Sequence, residues 1–595
     1  MRMTRRQLLQ AGAAAGAGVI THAYGSGTGP APAAPAGRPV MFREQLPTLA
    51  DLGVLDMTAG GSAELWARNA RHSFDGQMGL TNTLAYQDES SSQTYLGPVV
   101  IAKKGVGFNL TVHNDVRRHP LDFAIDGELV PPGSNDAVSP RLSTHLHGGN
   151  TRPGSDGGPQ QVFLPDSSYT YTYDNHQDAA GLWYHDHALG ITRLNVYAGL
   201  AGGYLLRDTP GPGGTGIDTG DGTHLPPPPY EVPLVIQDRM FNPDGSFAYP
   251  PNPDLTLDDG TPRPWAPEFF GDVATVNGKC WPNLEVDRGK YRFRVFNGSN
   301  ARFYNLKLVL DGTAILFDQI GSDGGLLNAP VTLNRLLLGP GERADIVVDF
   351  RRLPAGSKLV LTNNAPVPFP NGPVAGARGG VPLRQIMQFT VTSRAGYREP
   401  LPGRLRSSPL TRLTELPAAV TRSMTLVEAT NAEGVPTMAL LNNRRFGSPD
   451  ITVVKSETLE EWELINTTGD AHPIHLHFTQ FQVLNRQRFD ADAYVEAAGY
   501  IDPGSGLITP GRGSAVPVRP FLTGGPKGAP ANEQGWKDTV VAMPGEVTRI
   551  RVPFGAGAAG GAPLAIGSSF EGEYVWHCHI LEHEDNDMMQ RYVIA

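Results

Sequence analysis

Two short patterns, each occurring three times in the same order, constrain this chain more than anything else in it. Lys104–Asn114 (KGVGFNLTVHN), Arg288–Asn297 (RGKYRFRVFN) and Ser456–Asn466 (SETLEEWELIN) each alternate side chains at period two and close on asparagine. Each is followed by a second alternating stretch: Pro165–Tyr173 (PDSSYTYTY), Pro340–Val348 (PGERADIVV) and Pro544–Val552 (PGEVTRIRV). Period two is the signature of a strand, whose successive side chains point to opposite faces. Near-even spacing of the repeats implies three tandem units of similar strand order. The length of 595 residues agrees, being too great for one ordinary domain. With 71 glycines and 52 prolines the chain is rich in turns, without the bias that would imply disorder throughout. The expected class is all-β, built as three tandem Greek-key β-sandwich domains. We place them at residues 41–212, 226–395 and 415–595, after a signal and lead-in at 1–40. A Gly-rich linker ending in four prolines (209–229) and a polar, Pro-bearing one (396–418) separate them. The third domain carries a long Gly- and Pro-rich insertion, about 490–533, of the kind that is usually functional or mobile.

The chemistry is concentrated in four histidine clusters. The tail reads Trp576-His577-Cys578-His579-Ile580-Leu581-Glu582-His583, with Met588 following. On a strand, His577 and His579 point one way and Cys578 the other, so one short strand can hold a metal on each side. Upstream, His472-Pro473-Ile474-His475-Leu476-His477 places His475 and His477 on one face and His472 on the other. His145-Leu146-His147 and His185-Asp186-His187 complete the set, which takes up 10 of the 16 histidines. A lone histidine is usually a satisfied core or surface group; four clusters at this spacing, one enclosing a cysteine, are metal ligands. A closed zinc site needs only four ligands and fits poorly. Cysteine, two histidines and a weak methionine are the set expected of blue copper. No histidine lies between His224 and His472. The second domain therefore supplies no imidazole and is expected to act as a spacer, with the copper sites belonging to the first and third.

These motifs resemble the multicopper oxidases over nearly the whole mature chain. Leu182–His187, Thr192–Leu200 and Glu582–Asp585 are similar to the branch containing bacterial spore-coat laccase, phenoxazinone synthase and bilirubin oxidase. The resemblance implies three cupredoxin domains and four copper ions. It implies a type 1 copper held by His472, Cys578 and His583 with Met588 axial, and a type 2 copper held by His145 and His475. The type 3 pair would take His147, His185, His187, His477, His577 and His579. The implied reaction is one-electron oxidation of a small aromatic reductant such as a phenol or aminophenol, coupled to reduction of O2 to water. Electrons would enter through an exposed edge of His583 and leave Cys578 through either neighbouring histidine. Asp156 and Glu584 are the implied proton suppliers; the alternative for each is an ordinary surface carboxylate.

Oxidation of Cu(I) or Mn(II) is the competing activity. The 12 methionines are scattered, which counts against Cu(I). The insertion at 490–533 is expected near the type 1 copper, where it would shape the substrate mouth. Cys280 reads as a small buried hydrophobe, with a redox or metal role as the alternative. The net charge of −10 is spread along the chain and suggests no nucleic-acid surface. Thr4-Arg5-Arg6-Gln7-Leu8-Leu9, followed by a weakly apolar run, reads as a twin-arginine export signal. The expected location is periplasmic, envelope or extracellular.

Overall fold

The structure, a computed structural model, describes residues 37–89, 93–209, 215–372, 383–555 and 570–595. The twin-arginine segment and most of the lead-in lie outside these. Among the described residues the regular structure is almost all strand, arranged as three successive pairs of sheets with one further two-stranded ribbon, Asn252–Thr256 with Pro262–Arg263. In each pair the Asn-closing repeat is a central strand with the same two neighbours. Phe108–Asp115 pairs parallel with Gly61–His72 and antiparallel with Ser168–Tyr173. Lys290–Asn297 pairs likewise with Glu231–Arg239 and Arg343–Asp349, and Thr458–Asn466 with Val420–Thr430 and Glu546–Phe554. The two sequence patterns are thus neighbouring strands in all three units.

The closing asparagines explain why that residue recurs. Asn114 Nδ2 donates to the carbonyls of Pro140 and Phe163, while its Oδ1 accepts from Val116 N. Asn297 does the same with Arg302, Leu338 and Ser299, and Asn466 with Asp470, Ala542 and Thr468. Each ties the end of its strand to two later segments and satisfies groups that would otherwise be buried unpaired.

The described parts of both linkers are fastened to the sandwiches. Asp218, 1% exposed, lies between Arg292 and Arg294 at 2.7 and 2.8 Å, and both also meet Asp345. Three buried arginines (Arg207, Arg292, Arg294) face three buried acids (Asp218, Glu231, Asp345), so no charge is left uncompensated. Along the second linker, Leu405 and Leu410 donate backbone N–H groups to Asn328.

The first part of the insertion lies away from the place the sequence suggested. Its helix, Ala491–Ala497, packs with Tyr500 and Val518 on Val427, Leu440, Ile465 and Val547. The adjacent residues Leu426, Leu441 and Leu464 point the other way, into the core that holds Cys578. Strand parity therefore puts this helix, Tyr500 and Val518 on the outer face of the sheet, while Ala529, later in the insertion, packs against the core that holds Cys578. Among the described residues no helix is long and apolar enough to cross a membrane.

Candidate metal centres

Two strands from the first sandwich and two from the third bring the clusters together. Thr144–His147 pairs with Gly181–Asp186, setting His145 opposite His185. His472–Leu476 pairs with Gly572–Cys578, setting His475 opposite His577 and Ile474 opposite Cys578. His145, His147, His185, His187, His475, His477, His577 and His579 converge on one buried cluster; His472, Cys578 and His583 form a separate group. Cys578 Sγ lies 3.5 Å from His472 Nδ1 and 3.7 Å from His583 Nδ1. Met588 is buried beside it: its backbone N–H donates to His583 O and its carbonyl accepts from Cys578 N, both at 2.9 Å. His583 is 2% exposed, so only a sliver of the residue meets solvent.

In the cluster, the ring nitrogens divide between anchoring and binding. His145 Nδ1 is bonded to Asp156 O at 2.6 Å, His475 Nδ1 to Asp538 O at 2.9 Å and His185 Nδ1 to Asp186 O at 2.9 Å. The opposite Nε2 of each has no partner. His147 is turned the other way, with Nε2 on Asp538 Oδ1 (3.1 Å) and Thr539 Oγ1 (3.0 Å) and Nδ1 unpartnered. His477 Nδ1 meets Asp156 Oδ2 at 2.6 Å, while its Nε2 lies 3.1 Å from His577 Nε2, itself 3.3 Å from His187 Nε2. Three imidazole nitrogens about 3.4 Å apart are the spacing produced by a shared metal with bonds of about 2 Å. One nitrogen held by an acceptor and the other left bare is the usual dress of a metal-ligating histidine.

The electrostatics agree. Burial first, and then mutual repulsion, holds His145, His477 and His579 well below the ordinary histidine range. Burial also brings His185, His187 and His583 down to about 3. These rings stay neutral, as ligands must. Burial pushes the Cys578 thiol well up, so it ionises only where a cation takes the proton's place. Burial raises Asp156 to about 8 and raises Glu584 as well. Glu584 lies 3.0 Å from His577 Nδ1 and 3.4 Å from His187 Nδ1. Both carboxyls are buried against ligand rings; neither is a surface group.

The middle sandwich is more than a spacer. It gives no imidazole, yet its Arg343 grips Asp538 and its Gly341 lies so close to His579 that a Cβ there would sit 2.6 Å from the ring. Tyr249 and Asn300 hydrogen-bond Glu582, next to His583, and Trp265 Nε1 donates to Glu582 O. Histidine counting missed all of these.

Two multicopper oxidase family models match the chain, at residues 416–595 and 134–211. A laccase of Bacillus subtilis (strain 168) is 41% identical over 75% of this chain and 78% of its own length. Multicopper oxidase LPR1 of Arabidopsis thaliana is 33% identical over 93% of each chain. Among solved structures, the McoA multicopper oxidase of Aquifex aeolicus superposes with a TM-score of 0.68 at 25% identity, covering 93% of this chain and all of that one.

Proposed function

The chain belongs to the multicopper oxidase family, and on that premise we propose that it oxidises small aromatic reductants, phenols or aminophenols, one electron at a time while reducing O2 to two waters. The observation that carries the reading is the position of Cys578 between two histidine triads. His577 belongs to the group with His187 and His477, and His579 to the group with His147 and His185. The donor set would hold four copper ions: one at His472, Cys578 and His583 with Met588 beside them, one at His145 and His475, and one at each triad. Bound there, copper supplies one-electron redox chemistry at the cysteine and dioxygen reduction at the cluster. The chain does the rest. Asp156, Asp186, Asp538 and Cys578 hold the rings through their outer nitrogens. Burial excludes bulk water. Asp156 Oδ2 and Glu584 Oε2 stand within 2.6 and 3.0 Å of ligand rings, placed to hold the protons that water formation consumes. Electrons would enter by way of the His583 ring.

One observation favours a metal ion as reductant instead. Glu268 is driven well above the ordinary carboxyl range by burial and by the charges of Asp470, Glu428 and Glu582. Asp470 and Glu582 are two and one residues from His472 and His583. Acids crowded beside that centre would be relieved by a cation. Oxygen uptake separates the readings. With aminophenol or phenol as reductant, Glu268→Gln/Asp470→Asn should keep the parental rate. Uptake with Cu(I) or Mn(II) alone, lost in that variant, would replace the aromatic reading.

Export by the twin-arginine pathway belongs to the same proposal, motivated by Arg5-Arg6. Lys-Lys at these positions should leave the protein in the cytoplasmic fraction; unchanged fractionation would refute it.

A further inference from the structure

We propose that Arg343, from the middle sandwich, is a positioning residue for the histidine cluster: its two-pronged grip on Asp538 fixes the rings of His147 and His475 for copper. The inference rests on the copper reading of the cluster. Arg343 Nη1 donates to Asp538 Oδ1 at 2.5 Å and Nη2 to Oδ2 at 2.6 Å. Such a paired fork sets the plane of the carboxylate as well as its place. The same Oδ1 then receives His147 Nε2, and the backbone carbonyl of Asp538 receives His475 Nδ1. His147 alone among the rings anchored this way presents Nδ1 rather than Nε2 to the interior. The acceptors that turn it are Asp538 and Thr539. If the carboxylate rotates, one of the two reasons for that ring orientation is gone.

Arg343 is itself locked to all three sandwiches. Nε donates to Gly181 O in the first, Nη1 to Gly341 O and Nη2 to Asp323 O in its own, and both Nη groups to Asp538 in the third. Asp323 also accepts from Arg343 N (2.8 Å) and Lys537 Nζ (2.9 Å), so the segment carrying Asp538 is tied down at the preceding residue too. Gly148, directly after His147, leaves the space: a Cβ there would lie 2.5 Å from Arg343 Nη2 and 2.6 Å from Asp538 Oδ2. A lysine at 343 would keep the charge but offers a point donor in place of the planar fork.

The test uses the full copper-loaded chain as parent, Arg343→Gln and Arg343→Lys. Arg302→Gln is the control: Arg302 makes an equally buried pair with Asp238 in the same sandwich, at 2.8 Å, and donates to no copper ligand. Each protein is titrated with a copper chelator, following the non-blue EPR signal and the blue absorption separately. Loss of a group that orients metal ligands typically weakens metal affinity by about 10- to 100-fold. Arg343→Gln should therefore release the non-blue copper at roughly tenfold less chelator, with the blue band held as in the parent, and Arg343→Lys should fall between. Arg302→Gln should retain both signals. Parental retention of the non-blue copper in Arg343→Gln, or equal weakening of both signals in it and in Arg302→Gln, would overturn the proposal and leave an ordinary structural ion pair. If Arg343→Gln does not fold, Arg343→Lys decides alone, and parental retention there refutes the role of the fork. A parent that takes up no copper would overturn the copper reading itself, before any variant is compared.

Discussion

Gly157 should be irreplaceable, and the cost of replacing it can be worked out from its surroundings. Its φ is +71°, a left-handed conformation costing alanine about 1–2 kcal/mol. A Cβ would also sit 2.0 Å from Thr144 O and 2.7 Å from His145 Cα. A comfortable C···O contact is about 3.3 Å, so something must move by about 1 Å. Thr144 cannot: its strand pairs with Gly181–Asp186 and its N–H is bonded to Tyr171 Oη at 2.9 Å. The loop carrying Asp156 must yield instead, breaking the 2.6 Å bonds from His145 Nδ1 to Asp156 O and from His477 Nδ1 to Asp156 Oδ2. At about 1 kcal/mol for each bond, Gly157→Ala should lose about 3–4 kcal/mol. The assay is urea unfolding of the metal-free chain followed by tryptophan fluorescence, with copper retention measured on the loaded chain. Gly154→Ala is the control, because its Cβ would meet nothing within 4 Å. Gly157→Ala within about 0.5 kcal/mol of the parent, with parental copper retention, would refute the steric reasoning.

Further outcomes follow from other residues. Asn466→Ala removes bonds to Asp470 O (2.7 Å), Ala542 O (2.9 Å) and Thr468 N (2.9 Å), worth about 2–4 kcal/mol together. Because Thr468 Oγ1 contacts His472 Nε2 at 2.7 Å, the blue absorption should shift or weaken while the non-blue signal stays; an unchanged blue band would contradict this. His72 is lowered to about 4 by burial, against about 6.5 when unfolded. Between those values the unfolded chain binds the extra proton, so the contribution is complete above pH 6.5 and shrinks as pH falls, by about 3 kcal/mol at pH 4. Denaturation midpoints measured from pH 7 to pH 4 should therefore fall less steeply in His72→Gln than in the parent; equal slopes would disprove the assignment. Cys280, fully buried, should be dispensable for metal: Cys280→Ser keeps the parental copper content and loses about 1–3 kcal/mol by burying a hydroxyl. A lower copper count would show that the thiol is a ligand.

What could be read from the sequence was whatever strand geometry enforces. His577 and His579 had to share a face and Cys578 had to oppose them, because period two admits nothing else. The same rule separated His472 from His475 and His477, and the repeats with their closing asparagines gave the three sandwiches. What escaped was set by contacts between distant residues. Arg343 meets its carboxylate 195 positions away, and charge alone does not distinguish it from other arginines. One signal was present: in the second repeat, the place of Arg343 is taken by Ser168 and Val547 in the other units. The insertion's helix was misplaced because loop length and composition do not say which face of a sheet a segment will cover; Val427 and Leu426, one residue apart, face opposite sides. Asp218 sat in a stretch whose glycines masked its burial between arginines.

The most direct test of the account is copper analysis of the loaded parent and of Cys578→Ser, combined with visible absorption and EPR. The parent should hold about four copper ions and show a blue band near ~600 nm together with a separate non-blue EPR signal. Cys578→Ser should lose the blue band and about one copper while the non-blue signal remains, because the cysteine and the histidine cluster are separate centres. A parent that stays colourless when fully loaded, or a Cys578→Ser variant that loses both signals together, would contradict the two-centre arrangement on which the proposed oxidase rests.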